Sequence, residues 1–431
     1  MAEAQQSPQN LYNALEAGDF ARAEDICQQM LENNPNNPEA LHARAVMAYQ
    51  AGKLEKALPW AEKASQVDPR NPHFLNTLGL VQRNLKQPDQ ALITFQIALT
   101  HKPDFGQAMA NMALVHLDKD QHEQALACFE KALPHLQNNP DMLTNYAHTL
   151  RDAGQTEKAA EVYHQVLALA PQNERFLLNV GAVEMALGRE EKALEAYRAV
   201  LAQNPEEPTA LHIVAGLTGQ TTAIAPDKYV EDLFDVYAAD FDHHLANLGY
   251  QVPQMLGARI PAIMAPRAGQ GTWQVLDLGC GTGACGLQVA EHKAHMTGVD
   301  LARNMLDKAD EHGVYDELLH TGIHDYLEAT DSTFDLIFAA DVFVYVGDLT
   351  RTFELVADAS NKGALFCFST ELAGPEEADY VLRATGRYAQ SDSFIQRLAS
   401  ENKFSILLSK DITVRKDQRG DIPGKLYILQ R

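Results

Sequence analysis

Val275-Leu276-Asp277-Leu278-Gly279-Cys280-Gly281-Thr282-Gly283 decides how the second half of this chain is read. A short apolar run ends in an acidic residue and then breaks into alternating glycines. The pattern predicts a first strand that turns into a helix through a loop lying against a bound cofactor. Glycine supplies backbone angles that other residues avoid, and it lets a ligand approach where a Cβ would clash. The next strand closes on Asp300 in Thr297-Gly298-Val299-Asp300, 17 residues after Gly283. That is near the ~20 residues expected for a carboxylate gripping a ribose diol in a doubly wound fold.

Gly281, Gly283 and Gly286 also satisfy the Gly-x-Gly-x-x-Gly spacing of a dinucleotide loop. Asp277 and the tight Gly279–Gly283 core instead resemble motif one of class I S-adenosylmethionine-dependent methyltransferases. The resemblance implies a Rossmann-like, seven-stranded domain with S-adenosylmethionine as cofactor. It makes Asp277, Gly279, Gly281, Gly283 and Asp300 the expected contacts to the methionine and ribose, with Leu301 and Met305 flanking the adenine. Gly322 and Ile323 fall where relatives carry an acid for the adenine amino group; Asp325 is the nearest substitute.

The run Phe334–Asp341 reads as the fourth strand, apolar throughout as a buried parallel strand requires. Its end faces the methyl group in this fold, which makes Asp341 and Tyr345 candidates for catalysis, Asp341 also for cofactor contact. No Asn-Pro-Pro-Tyr or Pro-Cys follows, which counts against methylation of an adenine or amide nitrogen and of a cytosine carbon. Upstream, Val230, Leu233, Phe234, Tyr237, Phe241 and Leu245 form a helical stripe. The segment 227–247 resembles the lid helix of class I methyltransferases. There Tyr237, or Tyr229, is expected to reach the cofactor, and His243 is a candidate base.

Gly363–Glu371 reads as the fifth strand, and Ser405–Val414 and Lys425–Leu429 as the last two. Between them lies Arg387-Tyr388-Ala389-Gln390-Ser391, ahead of a helix ending near Asn402. With the junction helix and motif one, this segment resembles a bacterial group of predicted methyltransferases that carry tetratricopeptide repeats. In that group a His commonly follows Arg-Tyr-Ala; here Gln390 stands there. Arg387 and Tyr388 are candidate substrate contacts.

The first half repeats. Ala23, Ala57, Ala91, Ala125, Ala159 and Ala193 recur at 34 residues. Pro35, Pro69, Pro103, Pro171 and Pro205 follow by twelve, and Ala61, Phe95, Phe129, Tyr163 and Tyr197 by four. This resembles six tetratricopeptide repeats and predicts stacked helix pairs forming an α-solenoid. The chain thus divides into a solenoid with its closing helix, 1–220, and a methyltransferase domain, 221–431. Asn111, Asn145 and Asn179 also recur at 34, on the first helix of each pair. An amide donates and accepts as a peptide bond does. The series resembles the asparagine ladder of O-GlcNAc transferase, which implies a protein or peptide held along the groove.

Composition narrows the partners. The 431 residues are 46% hydrophobic and 22% charged, with a formal charge of −23. Both halves are acidic and neither shows a basic stripe, which argues against nucleic acid. No apolar run reaches the ~20 residues of a membrane span, and residues 1–10 lack the apolar core of a secretory signal. Five cysteines without Cys-x-x-Cys fit reduced thiols, a cytoplasmic location and no metal site. The expectation is a methyltransferase for a protein or peptide bound by the repeats. Its rivals are a small-molecule enzyme whose repeats serve assembly, and a cofactor-sensing interaction protein without turnover. Oligomeric state is left open by the sequence.

Overall fold

The computed structural model describes residues 7–136, 139–237, 241, 249–264, 273–417 and 420–431, the side chains of 136, 236, 237, 416 and 417 aside. The chain divides into two compact units, Met1–Arg189 and Glu190–Arg431.

The first unit is built of antiparallel helix pairs, from Pro8–Glu16 and Phe20–Asn33 to Glu174–Ala186. Local chemistry sets the boundaries. Asn37, Asn71 and Asn139 each cap a first helix by accepting a backbone N–H, and each is followed by proline at the first helical position. The turn within each pair needs a left-handed residue. Gly18, Gly52, Gly154 and Gly188 supply it at φ near +70, and Lys86 (φ 58) and Asp120 (φ 54) hold the same place in the intervening repeats. The five periodic alanines of this unit, Ala23, Ala57, Ala91, Ala125 and Ala159, are 0% exposed, which is what lets paired helices approach.

The solenoid spends its polar groups between repeats. His42 Nε2 lies 2.8 Å from Thr77 Oγ1, and Asn111 Nδ2 donates to Asn76 Oδ1 at 2.9 Å. Glu184 is 0% exposed and meets His164 at 2.7 Å and Arg189 at 3.5 Å. Of the expected ladder, Asn111 is 3% exposed; its Nδ2 is spent on the neighbouring repeat, while its Oδ1 has no partner among the described residues. Asn179 accepts from His148. Asn145, half-buried, is the least committed of the three.

In the second unit, β1 (Trp273–Leu278), β2 (Lys293–Asp300), β3 (Glu317–His320), β4 (Phe334–Ala339) and β5 (Ser360–Leu372) run parallel in the order β3-β2-β1-β4-β5. β9 (Gly420–Gln430) pairs antiparallel with β5, and β8 (Ser405–Asp417) with β9. These are the seven strands expected. Two more, β6 (Tyr380–Leu382) and β7 (Tyr388–Gln390), form a hairpin at the end of β5. Each is three residues long, too short to show alternation. The pleat sends Leu276, Leu278 and Ile337 to one apolar core and Val275, Leu336 and Phe338 to the other.

The division between units falls 31 residues before the boundary at 220. The helices Glu190–Leu201 and Pro208–Leu217 therefore count with the second unit. Side-chain chemistry explains the closing helix. His212 Nε2 lies 2.8 Å from the Gly386 carbonyl oxygen, its ring packs 4.7 Å from Tyr229, and Gly216 leaves room for the Arg383 carbonyl.

Candidate functional site

The loop after β1 is shaped by three left-handed glycines: Gly279 (φ 62), Gly281 (φ 53) and Gly283 (φ 91). They differ in what surrounds them. A Cβ at Gly279 would lie 2.6 Å from Val342 Cγ2, whereas one at Gly281 would meet nothing within 4 Å. Gly283 does not line the cavity; it caps the Ala284–Val289 helix.

A cavity of about 360 Å³ opens on this loop, within the ~300–1,000 Å³ typical of small-molecule sites. Asp277, Gly279, Gly281 and Asp300 line it on the loop side. Leu301, Met305, Gly322 and Ile323 line another wall, and Asp341 and Tyr345 stand at the end of β4.

Asp300 accepts the backbone N–H of Gly281 at 2.9 Å on Oδ2 and that of Ala302 at 2.8 Å on Oδ1. Burial pushes its carboxyl up and those N–H groups pull it back. Each oxygen keeps a lone pair for a further donor. Asp277 is 1% exposed; burial pushes it up to about 7, against the Tyr315 hydroxyl, which donates to it at 2.8 Å.

The β4 end is strained and roofed. Asp341 holds φ 59, rare for a non-glycine residue, with its N–H donating to Ser369 Oγ at 2.9 Å. Its carboxylate receives Arg415 Nη1 at 3.3 Å, and Arg415 also donates to Glu371. Phe234 from the Asp227–Tyr237 helix meets the Tyr345 ring edge-on at 5.4 Å. The junction crosses the same turn: Ala225 N–H donates to the Tyr345 carbonyl at 3.0 Å, and Ile224 bridges Val346. Gln390 is fully buried and donates to the Phe343 and Val346 carbonyls, both at 2.8 Å. It ties down the turn that carries Tyr345.

Other candidates fall elsewhere. Tyr229 is buried against His212 and does not line the cavity. Tyr388, expected to meet substrate, is 0% exposed and bonds Thr222 at 2.5 Å; it is a packing residue, because β7 runs inside the unit. Arg387 sits beside Tyr345, its guanidinium 5.7 Å from the ring centroid. His243 and the Tyr237 side chain lie outside the described residues. Residues not anticipated include Tyr250, which lines the cavity and whose hydroxyl burial raises well above its usual range, and Arg415. Among the described residues no cluster of His, Cys, Asp and Glu suits a metal ion.

A parallel sheet with a glycine loop after β1 and a carboxylate ending β2 defines a class I cofactor-binding domain. Comparison with known proteins names it. Residues 275–363 match the methyltransferase domain family, and residues 3–172 and 146–208 match tetratricopeptide repeat families. The ubiquinone biosynthesis O-methyltransferase of Hahella chejuensis (strain KCTC 2396) is 29% identical over 125 residues, 26% of this chain and 52% of that one. The chain thus spans about half the length of that relative. Two similar solved structures are the tetratricopeptide protein YrrB and a magnesium protoporphyrin IX methyltransferase from Synechocystis PCC 6803 with bound SAH. The first has 21% identity, TM-score 0.36 and coverage of 43% of this chain and 96% of its own. The second has 16% identity, TM-score 0.37 and coverage of 48% and 99%. The chain thus joins segments that match tetratricopeptide repeat families to a segment that matches a methyltransferase domain family.

Proposed function

We propose that the chain transfers a methyl group from S-adenosylmethionine to a small acceptor in the cavity between Asp277 and Tyr345, while the repeats dock a protein partner. The observation that carries the cofactor assignment is the open space beyond Gly281, beside a carboxylate whose two oxygens are already oriented by backbone N–H groups. S-adenosylmethionine supplies an electrophilic methyl on a sulfonium. Asp300 would take the ribose hydroxyls, Asp277 and the Gly279–Gly281 backbone the methionine side, and Leu301, Met305, Gly322 and Ile323 the adenine. Asp341 and Tyr345 would orient the acceptor, the carboxylate holding a proton released by its nucleophile. Phe234 and the 224–225 segment would exclude water, which leaves alignment as the main catalytic contribution.

The roofed, buried β4 end favours a small acceptor over a folded surface. A second reading, methylation of a protein bound by the repeats, draws support from an apolar groove in the first unit. There Ile93 and Ile97 are 62% and 43% exposed beside Leu92 and Met112. Incubation with methyl-labelled S-adenosylmethionine in a lysate lacking the native protein separates them. Label in small molecules supports the first reading, label in protein the second. No label above that of an Asp300→Ala control refutes both.

A further inference from the structure

Charge is distributed unevenly around the cavity. Among the described residues, five aspartates line it and no lysine or arginine does. Four stand on the walls assigned to the cofactor. Asp277 and Asp300 lie on the loop side, and Asp227 and Asp325 lie about Gly322, where a Cβ would be 3.8 and 3.5 Å from their Oδ2 atoms. The fifth, Asp341, ends β4, and its charge is matched. Arg415 holds its Oδ1, and behind the wall Asp341 and Glu371 face Arg415 and Arg387, neither of which lines the cavity. Beside Asp341 the wall is apolar, made by Ile224, Val342, Val346 and the Tyr345 ring. The imidazole of the described lining, His324, is spent on Thr352 at 2.8 Å.

We propose that the methyl acceptor is an uncharged, largely apolar molecule that presents a hydroxyl as its nucleophile. An anionic acceptor would lie among carboxylates, with no lysine or arginine of the described lining to receive it. Moving an unpaired ion from water to such a wall is strongly unfavourable. An ammonium would find the Asp341 charge already matched by Arg415. A hydroxyl enters without that desolvation cost, and it donates to Asp341 Oδ2, which Arg415 leaves open. As the hydroxyl oxygen bonds to the methyl carbon, the carbon–sulfur bond breaks with its electron pair left on sulfur. The hydroxyl proton passes to Asp341. The products are a methyl ether, S-adenosylhomocysteine and protonated Asp341. Arg415 is then a positioning residue, because it decides which oxygen of Asp341 faces the acceptor.

The inference rests on reading this cavity as the methyl-transfer site. The test saturates the full chain with S-adenosylhomocysteine and titrates it by calorimetry at neutral pH with 2-naphthol. The anionic and cationic counterparts are 2-naphthoate and 2-naphthylmethylammonium. 2-Naphthol is expected to bind at least about tenfold tighter than either ion. Asp341→Asn removes one of the two balancing carboxylates and suits the φ of 59 at that position, which asparagine tolerates. It is expected to weaken 2-naphthol and to raise the naphthoate affinity relative to it by about threefold or more. Arg415→Gln is expected to shift the preference toward the ammonium by a similar factor, and Asp341→Asn serves alone if that variant fails to fold. An ion that binds as tightly as 2-naphthol, a loaded chain that binds no 2-naphthol, or ratios unmoved in the folded variants overturns the acceptor class alone. A wild-type chain that does not bind S-adenosylhomocysteine overturns the methyltransferase reading and the acceptor class with it.

Discussion

The two units use left-handed glycines for different ends. In the solenoid, Gly18, Gly52, Gly154 and Gly188 reverse the chain, and a Cβ on any of them would meet nothing within 4 Å. Lys86 and Asp120 do the same work in the same turn. In the second unit, Gly279 is walled by Val342, and the space beyond Gly281 belongs to the cavity. Positive φ alone is a modest, replaceable demand. Positive φ with a wall or a ligand on the Cβ side is not. The repeats join polar groups to one another, Asn111 to Asn76 and Glu184 to His164, whereas at the β4 end Asp341 is held by Arg415 beside the cavity.

Substitutions sharpen this contrast. Gly279→Ala, which adds strain and a clash with Val342, is expected to destabilise the second unit by about 3 kcal/mol. The measurement is urea unfolding in a Trp60→Phe background, where Trp273, the remaining tryptophan, reports that unit. A loss below ~1 kcal/mol would break the contrast with the solenoid turns.

The same reporter follows pH. Asp277 sits at about 7 in the fold, above the ~3.9 of an unfolded aspartate. The folded state therefore holds the extra proton between those values, and its stability falls as pH rises from 4 to 7, by about 3 kcal/mol. Asp277→Asn should flatten this slope, and an unchanged slope in the variant refutes the assignment.

Gly281→Ala is expected to keep the fold but weaken S-adenosylhomocysteine about tenfold, as its Cβ enters the cavity. Unchanged affinity would place the cofactor elsewhere. The smallest change is Lys86→Gly, which should stabilise the solenoid by about 0.5–1 kcal/mol, read by thermal unfolding at 222 nm. Destabilisation would show that Lys86 is held there by more than the turn.

Much of this was legible in the sequence. The 34-residue alanine period marked buried helix positions, and Asp277, the glycine loop and Asp300 marked the cavity. What stayed hidden was placed by tertiary contact. Arg415 reads as a charge on a late strand, yet it is 8% exposed and binds Asp341, 74 residues away. Tyr250 lies in a stretch with no motif. The asparagine series kept its period, but the side chain of Asn111 turned to Asn76, a choice periodicity does not encode. Tyr388 looked available because aromatic residues near a site often are; the hairpin around it buries it.

The most direct test of the central claim is calorimetric titration of the full chain with S-adenosylhomocysteine, beside Asp300→Ala. The account expects one site per chain in the wild type and an affinity loss of about 100-fold in the variant, as a carboxylate shared between loop and ribose is removed. Absence of binding in the wild type, or equal affinity in the two proteins, would contradict it.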